Sequence, residues 1–352
     1  MKTPSSHETK NYPTWMQIMR EAITSTKELE TFLETSLTQT PYSLFIPRPF
    51  AQRIKEAGID SPLGRQFIPH AKENIKDGLE DPIADHLYSK GNGIIHRYRN
   101  RILFSPTEIC PIQCRYCFRK NELGQQDDIF KAKRKALEQY LQEHPEVEEV
   151  IFTGGDPLIL SNSKIDQYLH SLANISSVKM VRFHSRTPVI LPERIDHDFI
   201  QLISRYSLKF DIVSLVIHTN HTSEWSPLFL RKINQLRALP INLLSQSVLL
   251  KGVNDQVDDL ALLFKMLVIN GIRPYYLHHP DPVKGATYFQ LSLEEGRKIF
   301  HQLKKRVSGF ILPHYVVELP NGKGKALAFN SQNFNSDGKW IDKDGEWIEN
   351  PF

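Results

Sequence analysis

The chain has 352 residues, of which 40% are hydrophobic and 24% are charged, and its formal net charge is +4 at pH 7. This is ordinary globular composition, and the charge is spread along the chain rather than gathered into a block, so a dedicated nucleic-acid surface is not expected. No run approaches the ~18 consecutive apolar residues that span a bilayer, and the polar N-terminus has no apolar signal core, so the sequence predicts a cytoplasmic protein without membrane association.

The predicted secondary structure changes character near residue 94. Before it, apolar residues recur at helical spacing, as in the stretch 15–23, so residues 1–93 are expected to form an N-terminal helical segment. From residue 94 to about 280, short apolar runs alternate with amphipathic helical stretches. The predicted strands are Arg101–Phe104, Val150–Thr153, Lys179–His184, Ile212–His218, Ile241–Leu249 and Arg273–His278. The predicted helices lie near 130–143, 163–173, 195–206, 227–238, 257–270 and 292–306.

Strands that are each followed by a helix predict a parallel sheet with right-handed crossovers. The fold class is therefore α/β, as a barrel or an open part of one, because full closure normally needs eight such units. We assign residues 94–309 to this barrel and residues 310–352 to a C-terminal region. That region is expected to hold a further strand at Phe310–Val317 and, from Phe334 onward, a small hairpin-rich cap with Asp-Gly turns.

All three cysteines of the chain, Cys110, Cys114 and Cys117, lie directly after the first predicted strand. Parallel α/β barrels place their chemistry in such loops, at the C-terminal ends of strands. Clustered thiols without others in the chain fit neither disulfides nor core packing. A zinc site, a nucleophilic cysteine and a four-iron, four-sulfur (4Fe-4S) cluster remain. The cluster is the preferred interpretation, because it uses all three thiols and leaves one iron open to another ligand.

A Gly-Gly-Asp turn, formed by Gly154, Gly155 and Asp156, follows the next predicted strand. Paired glycines at a strand end allow the backbone to approach a ligand closely, and an acidic residue beside them can hold an ammonium group. The alternative is an ordinary turn between a strand and a helix. Next to the cysteine motif, ligand binding is the preferred interpretation.

A glycine-broken loop near the C-terminus carries two lysines, Lys323 and Lys325. Lysines on such loops are usually solvated surface residues. At the rim of a barrel mouth, however, a lysine can form an imine with a carbonyl cofactor. The pattern alone does not decide which of the two would do so.

The Cys-x3-Cys-x2-Cys spacing, with Tyr116 before the last cysteine, resembles the signature of radical S-adenosylmethionine (SAM) enzymes. In that superfamily the open iron binds SAM, and the reduced cluster cleaves it to give a 5′-deoxyadenosyl radical. The resemblance implies a partial (β/α)6 barrel, the three cysteines as ligands of a 4Fe-4S cluster, and the Gly-Gly-Asp turn as the segment that binds the amino group of SAM.

Over roughly residues 90–330 the chain resembles the lysine 2,3-aminomutase family, which adds pyridoxal 5′-phosphate (PLP) to these cofactors. The resemblance implies PLP contacts from Arg97, Tyr98 and Arg101, and an imine with Lys325. It also implies SAM or cofactor contacts from residues at the ends of predicted strands, namely His184, His218 and Gln246.

For the substrate, the resemblance implies L-lysine, converted to β-lysine by migration of the amino group. Arg119 falls where the family binds the carboxylate, Asp281 where it grips the ε-ammonium, and Glu318 where a second acidic contact stands. Two departures are visible. The second acid is usually aspartate, so Glu318 reaches one methylene further, and Lys323 fills a position that is glycine in the family.

Larger members of the family carry extra cysteines for zinc near the C-terminus, and this chain has none. It therefore resembles the shorter branch, whose β-lysine modifies elongation factor P. A flavodoxin- or ferredoxin-like reductant and a homo-oligomeric state are implied. Two alternatives stay open: an aminomutase for another amino acid, such as arginine or glutamate, and a non-catalytic zinc-binding module. Glutamate is disfavoured, because Asp281 and Glu318 would repel its side chain.

Overall fold

The computed structural model describes residues 14–121, 130–319 and 321–329, and beyond them only the backbone of two short strands. Within this part of the chain, nine strands form one sheet in which sequence neighbours are also spatial neighbours. The strands are β1 (Ile94–Tyr98), β2 (Arg101–Phe104), β3 (Glu149–Phe152), β4 (Met180–Ser185), β5 (Ile212–His218), β6 (Asn242–Val248), β7 (Arg273–His278), β8 (His314–Leu319) and β9 (Gly324–Leu327).

Parallel pairing runs from β2 to β8, and the edge strands β1 and β9 pair antiparallel. The helices are α1 (Trp15–Arg20), α2 (Thr26–Leu33), α3 (Arg48–Ala57), α4 (Pro62–Arg65), α5 (Phe130–Glu143), α6 (Asn162–Ala173), α7 (Thr187–Ile190), α8 (His197–Tyr206), α9 (Pro227–Leu236), α10 (Val257–Ile269) and α11 (Leu293–Arg306). A helix crosses between each successive pair of parallel strands, as this pairing requires. The predicted α/β fold built of strand–helix units is confirmed, and it forms a nearly closed barrel.

Two strand predictions near the edges of the sheet need correction. The strand predicted at Phe310–Val317 begins later: Gly309–Ile311 form a 3-10 turn, and β8 starts at His314. The strand β1 was not predicted, because the stretch before β2 is rich in basic residues. It nevertheless forms a hairpin with β2.

The predicted C-terminal cap lies mostly outside the described residues. Its described part is one antiparallel pair, β10 (Trp340–Ile341) with β11 (Trp347–Ile348), which agrees with the expected hairpin.

The core forms where the helices cover the sheet. On the strands, Phe104 contacts Phe152 edge to face with ring centroids 5.7 Å apart, and Phe152 stacks on Phe183 with centroids 4.8 Å apart. Helix α8 packs Phe199, Ile203 and other apolar side chains, spaced about one turn apart, against this layer. None of the helices in the described ranges is both long and apolar enough to cross a bilayer.

The two edges of the sheet approach each other through a side chain. The hydroxyl of Tyr98 on β1 accepts a hydrogen bond from the backbone N–H of Lys325 on β9 at 3.4 Å. Gly324 makes this approach possible, because a Cβ at that position would lie 2.5 Å from the Tyr98 oxygen. The ends of the sheet are therefore joined around the mouth of the barrel.

Candidate active site at the mouth of the barrel

The cysteine loop leaves β2 at the C-terminal end of the sheet and is held from two sides. The backbone N–H of Arg115 donates to the carbonyl of Gln66 at 2.8 Å, which ties the loop to the N-terminal helices. From the other side, the N–H groups of Gly155 and Asp156 donate to the carbonyls of Thr107 and Ile109 at 2.9 and 2.8 Å. These hydrogen bonds fix the position of the cysteine loop between the N-terminal helices and the turn after β3.

The three thiols suit an iron–sulfur cluster. Burial raises the pKa of Cys117 to about 12 and that of Cys110 well above its usual value, and nearby thiols add to both shifts. Deprotonation therefore needs a cation, which iron supplies on binding. In the described part of the chain, no group of three or more His, Cys, Asp or Glu side chains is arranged to hold a single metal ion. Cys114 and Cys117 lie close enough to Cys110 to raise its pKa, and a polynuclear cluster would bind each thiolate through its own iron.

The two glycines of the Gly-Gly-Asp turn allow it to pack closely against the cysteine loop. Gly154 has φ +95°, and a Cβ there would overlap the side chain of Ser105. A Cβ on Gly155 would lie 2.5 Å from the carbonyl oxygen of Ile109. A close backbone approach is therefore present, between this turn and the chain's own cysteine loop.

The Asp156 carboxylate is hydrogen-bonded to other groups of the protein. Its buried carboxylate accepts hydrogen bonds from the N–H groups of Leu158, Arg186 and Thr187 at 3.0, 2.7 and 2.9 Å, and from the Ser185 hydroxyl at 2.7 Å. These bonds join the turn after β3 to the end of β4. Asp156 thereby sets the position of the segment that carries Arg186.

Arg186 is one residue of this site that the sequence did not single out. Its buried guanidinium donates to the Cys114 sulfur at 3.1 Å and also contacts the Tyr116 hydroxyl. On its other side it donates to Gln66 at 2.8 Å and pairs with the buried carboxylate of Glu224 at 3.1 Å. A fixed positive charge therefore touches one of the three thiols. The only signal in the sequence was an arginine at the end of a predicted strand.

Strands β4 to β6 bring the three residues expected at strand ends close together. Gln246 lies beside His218 in the register of β5 and β6, and its Oε1 lies 2.9 Å from His184 Nδ1. His218 Nε2 lies 2.9 Å from the Tyr116 hydroxyl of the cysteine loop. Burial holds the pKa of both histidines well below the usual value, so both are neutral.

His184 has an unused polar atom. Because the carbonyl oxygen of Gln246 only accepts, His184 Nδ1 donates to it, and Nε2 remains as an acceptor. This Nε2 is buried and has no hydrogen-bond partner among the described residues. Such an atom fits a bound cofactor with a donor group.

Lys325 and Glu318 form an ion pair on the other side of the mouth. The second oxygen of Glu318 lies 3.6 Å from Arg97 Nη1. The charge of Lys325 also reaches into the barrel: after burial, it is the next cause that lowers the pKa of His278, to about 3. Lys323 and Lys325 are both exposed residues, and the side chain of Lys325 is 33% exposed. Its ion pair with the buried Glu318 carboxylate and its effect on His278 favour Lys325 over Lys323.

The remaining cofactor candidates, Tyr98 and Arg101, lie next to Lys325. The guanidinium of Arg101 sits over the Tyr98 ring, 3.9 Å from its centroid. The Tyr98 hydroxyl contacts the backbone of Lys325. Together with Arg97, these residues place two cations and an aromatic phenol around one lysine, which suits a phosphorylated aromatic aldehyde such as PLP.

The substrate candidates meet in the same place. One carboxylate oxygen of Asp85 accepts from Arg97 Nη2 at 2.9 Å, and the other pairs with Arg119. Burial, with the charge of Glu318 and a smaller effect of Asp85, raises the pKa of Asp281 to about 7, against the opposing charge of Lys325. The mouth of the barrel therefore holds guanidinium and carboxylate groups, which would suit the carboxylate and ammonium ends of a diamino acid.

Comparison with known proteins gives a matching family profile and several similar chains. A family profile described as the radical SAM superfamily matches residues 104–264. The chain is 33% identical to an L-lysine 2,3-aminomutase of Haemophilus influenzae, over 89% of this chain and 95% of that protein. It is 33% identical to an L-lysine 2,3-aminomutase of Escherichia coli, over 91% and 94%.

A protein of the same name from Clostridium subterminale is 33% identical over 88% of this chain and 76% of its own length. Among solved structures, one of Streptococcus suis SuiB bound to S-adenosylmethionine covers 65% of this chain and 52% of that chain, with a TM-score of 0.47 and 14% identity.

Proposed function

The chain belongs to the L-lysine 2,3-aminomutase family, and on that premise we propose that it is an isomerase that converts L-lysine to β-lysine by moving the amino group from the α- to the β-carbon. The observation that carries the proposal is that one barrel mouth holds both the three-thiol loop and Lys325. The histidines His184 and His218 lie between them, on adjacent strands. The thiols that would bind the cluster and the lysine that would bind PLP thus face a common space.

We propose a 4Fe-4S cluster on Cys110, Cys114 and Cys117, with SAM held beside it by the Gly-Gly-Asp turn, His218 and Gln246. PLP would be held by Lys325, Arg97, Tyr98 and Arg101, with the unpaired His184 Nε2 as a further contact. When bound, these groups would supply a carbon radical able to remove an unactivated hydrogen and a π system able to carry the amino group, chemistry that side chains lack.

For lysine, Arg119 offers its guanidinium to the α-carboxylate, while Asp281 and Glu318 offer carboxylates to the ε-ammonium. The raised pKa of Asp281, about 7, reflects burial beside another carboxylate, and a bound ammonium would relieve that repulsion. The pocket therefore favours a substrate with a positive side chain. A glutamate side chain would add a third negative charge to the same place and be repelled.

A narrower assignment concerns the use of the product. Because the sequence resembles the branch of the family whose β-lysine modifies elongation factor P, we propose that the β-lysine made here serves that modification, in the cytoplasm. A flavodoxin- or ferredoxin-like reductant and a homo-oligomeric state belong to the same proposal.

The test is an anaerobic assay of the protein reconstituted with iron, sulfide and PLP, and supplied with SAM, a reductant and one amino acid at a time. We expect β-lysine from L-lysine and no product from L-arginine or L-glutamate. Preferential turnover of arginine or glutamate would overturn the substrate. A colourless protein that holds stoichiometric zinc would overturn the reaction class.

The cysteine variants test the cluster separately. Cys110→Ala, Cys114→Ala and Cys117→Ala should each lose bound iron and sulfide and fail to form 5′-deoxyadenosine, because the open iron exists only when the other three are held. Full iron content and turnover in any one of them would remove that cysteine from the ligand set.

A further inference from the structure

Asp85 joins two arginines that belong to different parts of the site. It begins a short 3-10 helix, Asp85–Tyr88, in the segment that precedes the sheet, and its side chain is only 8% exposed. One carboxylate oxygen accepts from Arg97 and the other from Arg119. No pattern in the sequence singles this residue out, because its partners lie 12 and 34 residues away.

Arg97 stands between two acids. Its Nη2 lies 2.9 Å from Asp85 and also donates to the carbonyl of Ile83 at 2.8 Å, while its Nη1 lies 3.6 Å from Glu318. The ring of Tyr88 lies beneath the guanidinium, with its centroid 5.1 Å away. The segment around Asp85 therefore holds Arg97 more closely than Glu318 does, and it leaves Glu318 only loosely engaged by this arginine.

We propose that Asp85 is a positioning residue for lysine recognition. It aims Arg119 at the substrate's α-carboxylate, and it holds Arg97 back so that Glu318 stays available to the ε-ammonium. This inference rests on the proposed function.

Neutralising Asp85 would affect both arginines that it pairs with. Two buried guanidinium groups are then left without the anion they share, which is costly in a poorly solvated place. Glu318 is the next acid within reach of Arg97, and a close pair between them would occupy the carboxylate that lysine needs. Arg119 at the same time loses one of the contacts that limit its rotamers. Both changes weaken lysine binding, and the first acts specifically on the ε-ammonium end.

The experiment compares two ligands on the anaerobic holoenzyme. L-lysine and L-norleucine share the α-amino and α-carboxyl groups, but norleucine has no ε-ammonium. Their dissociation constants are measured by isothermal titration for the parent, for Asp85→Asn and for Asp85→Glu. Glu80→Gln is the matched control, because Glu80 is an exposed acid of the same segment that pairs with Lys284 at the surface. Iron content, PLP content and Tm are recorded for each variant.

We expect Asp85→Asn to bind lysine at least about tenfold more weakly, a typical loss when one member of a buried charge pair is removed. Norleucine should lose less, so that the preference for lysine falls. Asp85→Glu, which keeps the charge, should retain more of that preference, and Glu80→Gln should match the parent. Should Asp85→Asn not fold, Asp85→Ser is the second neutral variant.

Two results would overturn the inference: parental lysine affinity in the neutral variant, or equal losses for lysine and norleucine that follow the fall in Tm or iron content. The second result would make Asp85 a purely structural residue. A parent holoenzyme that does not bind lysine at all would instead overturn the proposed function.

Discussion

Glu318 and Lys325 are direct neighbours across the antiparallel pair of β8 and β9, and their side chains form an ion pair. The strand register thus sets a carboxylate against the amine that we assign to PLP. Under this assignment Glu318 pairs with the Lys325 ammonium when PLP is absent, and it is available to the ε-ammonium of lysine once Lys325 has bound PLP.

The first prediction concerns which lysine binds PLP covalently. Borohydride reduction of the resting holoenzyme, followed by peptide mapping, should place the pyridoxyl group on Lys325, because its ammonium pairs with the buried Glu318 and lies close enough to lower the pKa of His278. Lys325→Ala should lose the absorbance of the bound cofactor. Lys323→Ala is the control and should keep it. A label on Lys323 would reverse the assignment and remove Glu318 from the substrate site.

The second prediction concerns the pH dependence of lysine binding. In the free pocket the pKa of Asp281 is raised to about 7, so part of this carboxyl is protonated at neutral pH. The ε-ammonium prefers the ionised form, so binding should release a proton, and lysine affinity should rise between about pH 6 and pH 8. Titration calorimetry in buffers of different ionisation enthalpy measures the released proton.

The variant for this prediction is Asp281→Asn, which should bind lysine weakly and with a flat profile over the same range. Norleucine binding to the parent protein is the matched control, since its side chain carries no charge. A lysine affinity that falls as the pH rises would contradict the assigned role of Asp281.

The third prediction concerns Arg186 and the cluster. A hydrogen bond from a cation to a cluster thiolate favours the more negative, reduced state, so its removal should lower the reduction potential. A net contribution of about 1 kcal/mol for the bond from Arg186 to Cys114 corresponds to a fall on the order of 40 mV. Redox titration of reconstituted Arg186→Gln, at iron content equal to the parent's, measures it.

Arg53→Gln is the matched control, because Arg53 donates to the backbone carbonyl of Glu224 and belongs to the same region. Its reduction potential should equal the parent's. An unchanged potential in Arg186→Gln would show that the contact with Cys114 does not influence the cluster.

The fourth prediction concerns the fit between the Gly-Gly-Asp turn and the cysteine loop. A Cβ on Gly155 would press on the backbone of Ile109, so Gly155→Ala should lower the free energy of unfolding by about 1–3 kcal/mol and reduce bound iron. Chemical denaturation and iron analysis test both effects. Gly309→Ala is the control, because a Cβ there meets nothing within 4 Å. Parental stability in Gly155→Ala would show that the loop yields easily.

The sequence alone determined the parts of this protein that depend on neighbouring residues. Apolar runs alternating with amphipathic stretches predict the strand–helix units, because the side-chain periods of strands and helices differ. The spacing of Cys110, Cys114 and Cys117 places three thiols in one loop after a strand, whatever the rest of the chain does. The same pattern did not predict β1. This strand is rich in basic residues, and its pairing with β2 depends on the hairpin and not on an apolar pattern.

Only the tertiary structure decided which charges meet. Asp85, Arg119 and Glu318 come from three distant parts of the chain. Asp85 pairs with Arg119 and Arg97, and Arg97 reaches Glu318, only because the short helix, the cysteine loop and β8 converge on the mouth of the barrel. The contact of Arg186 with Cys114 likewise depends on how the end of β4 packs against the loop after β2. Such pairings are set by side-chain packing across large sequence separations, which local periodicity does not record.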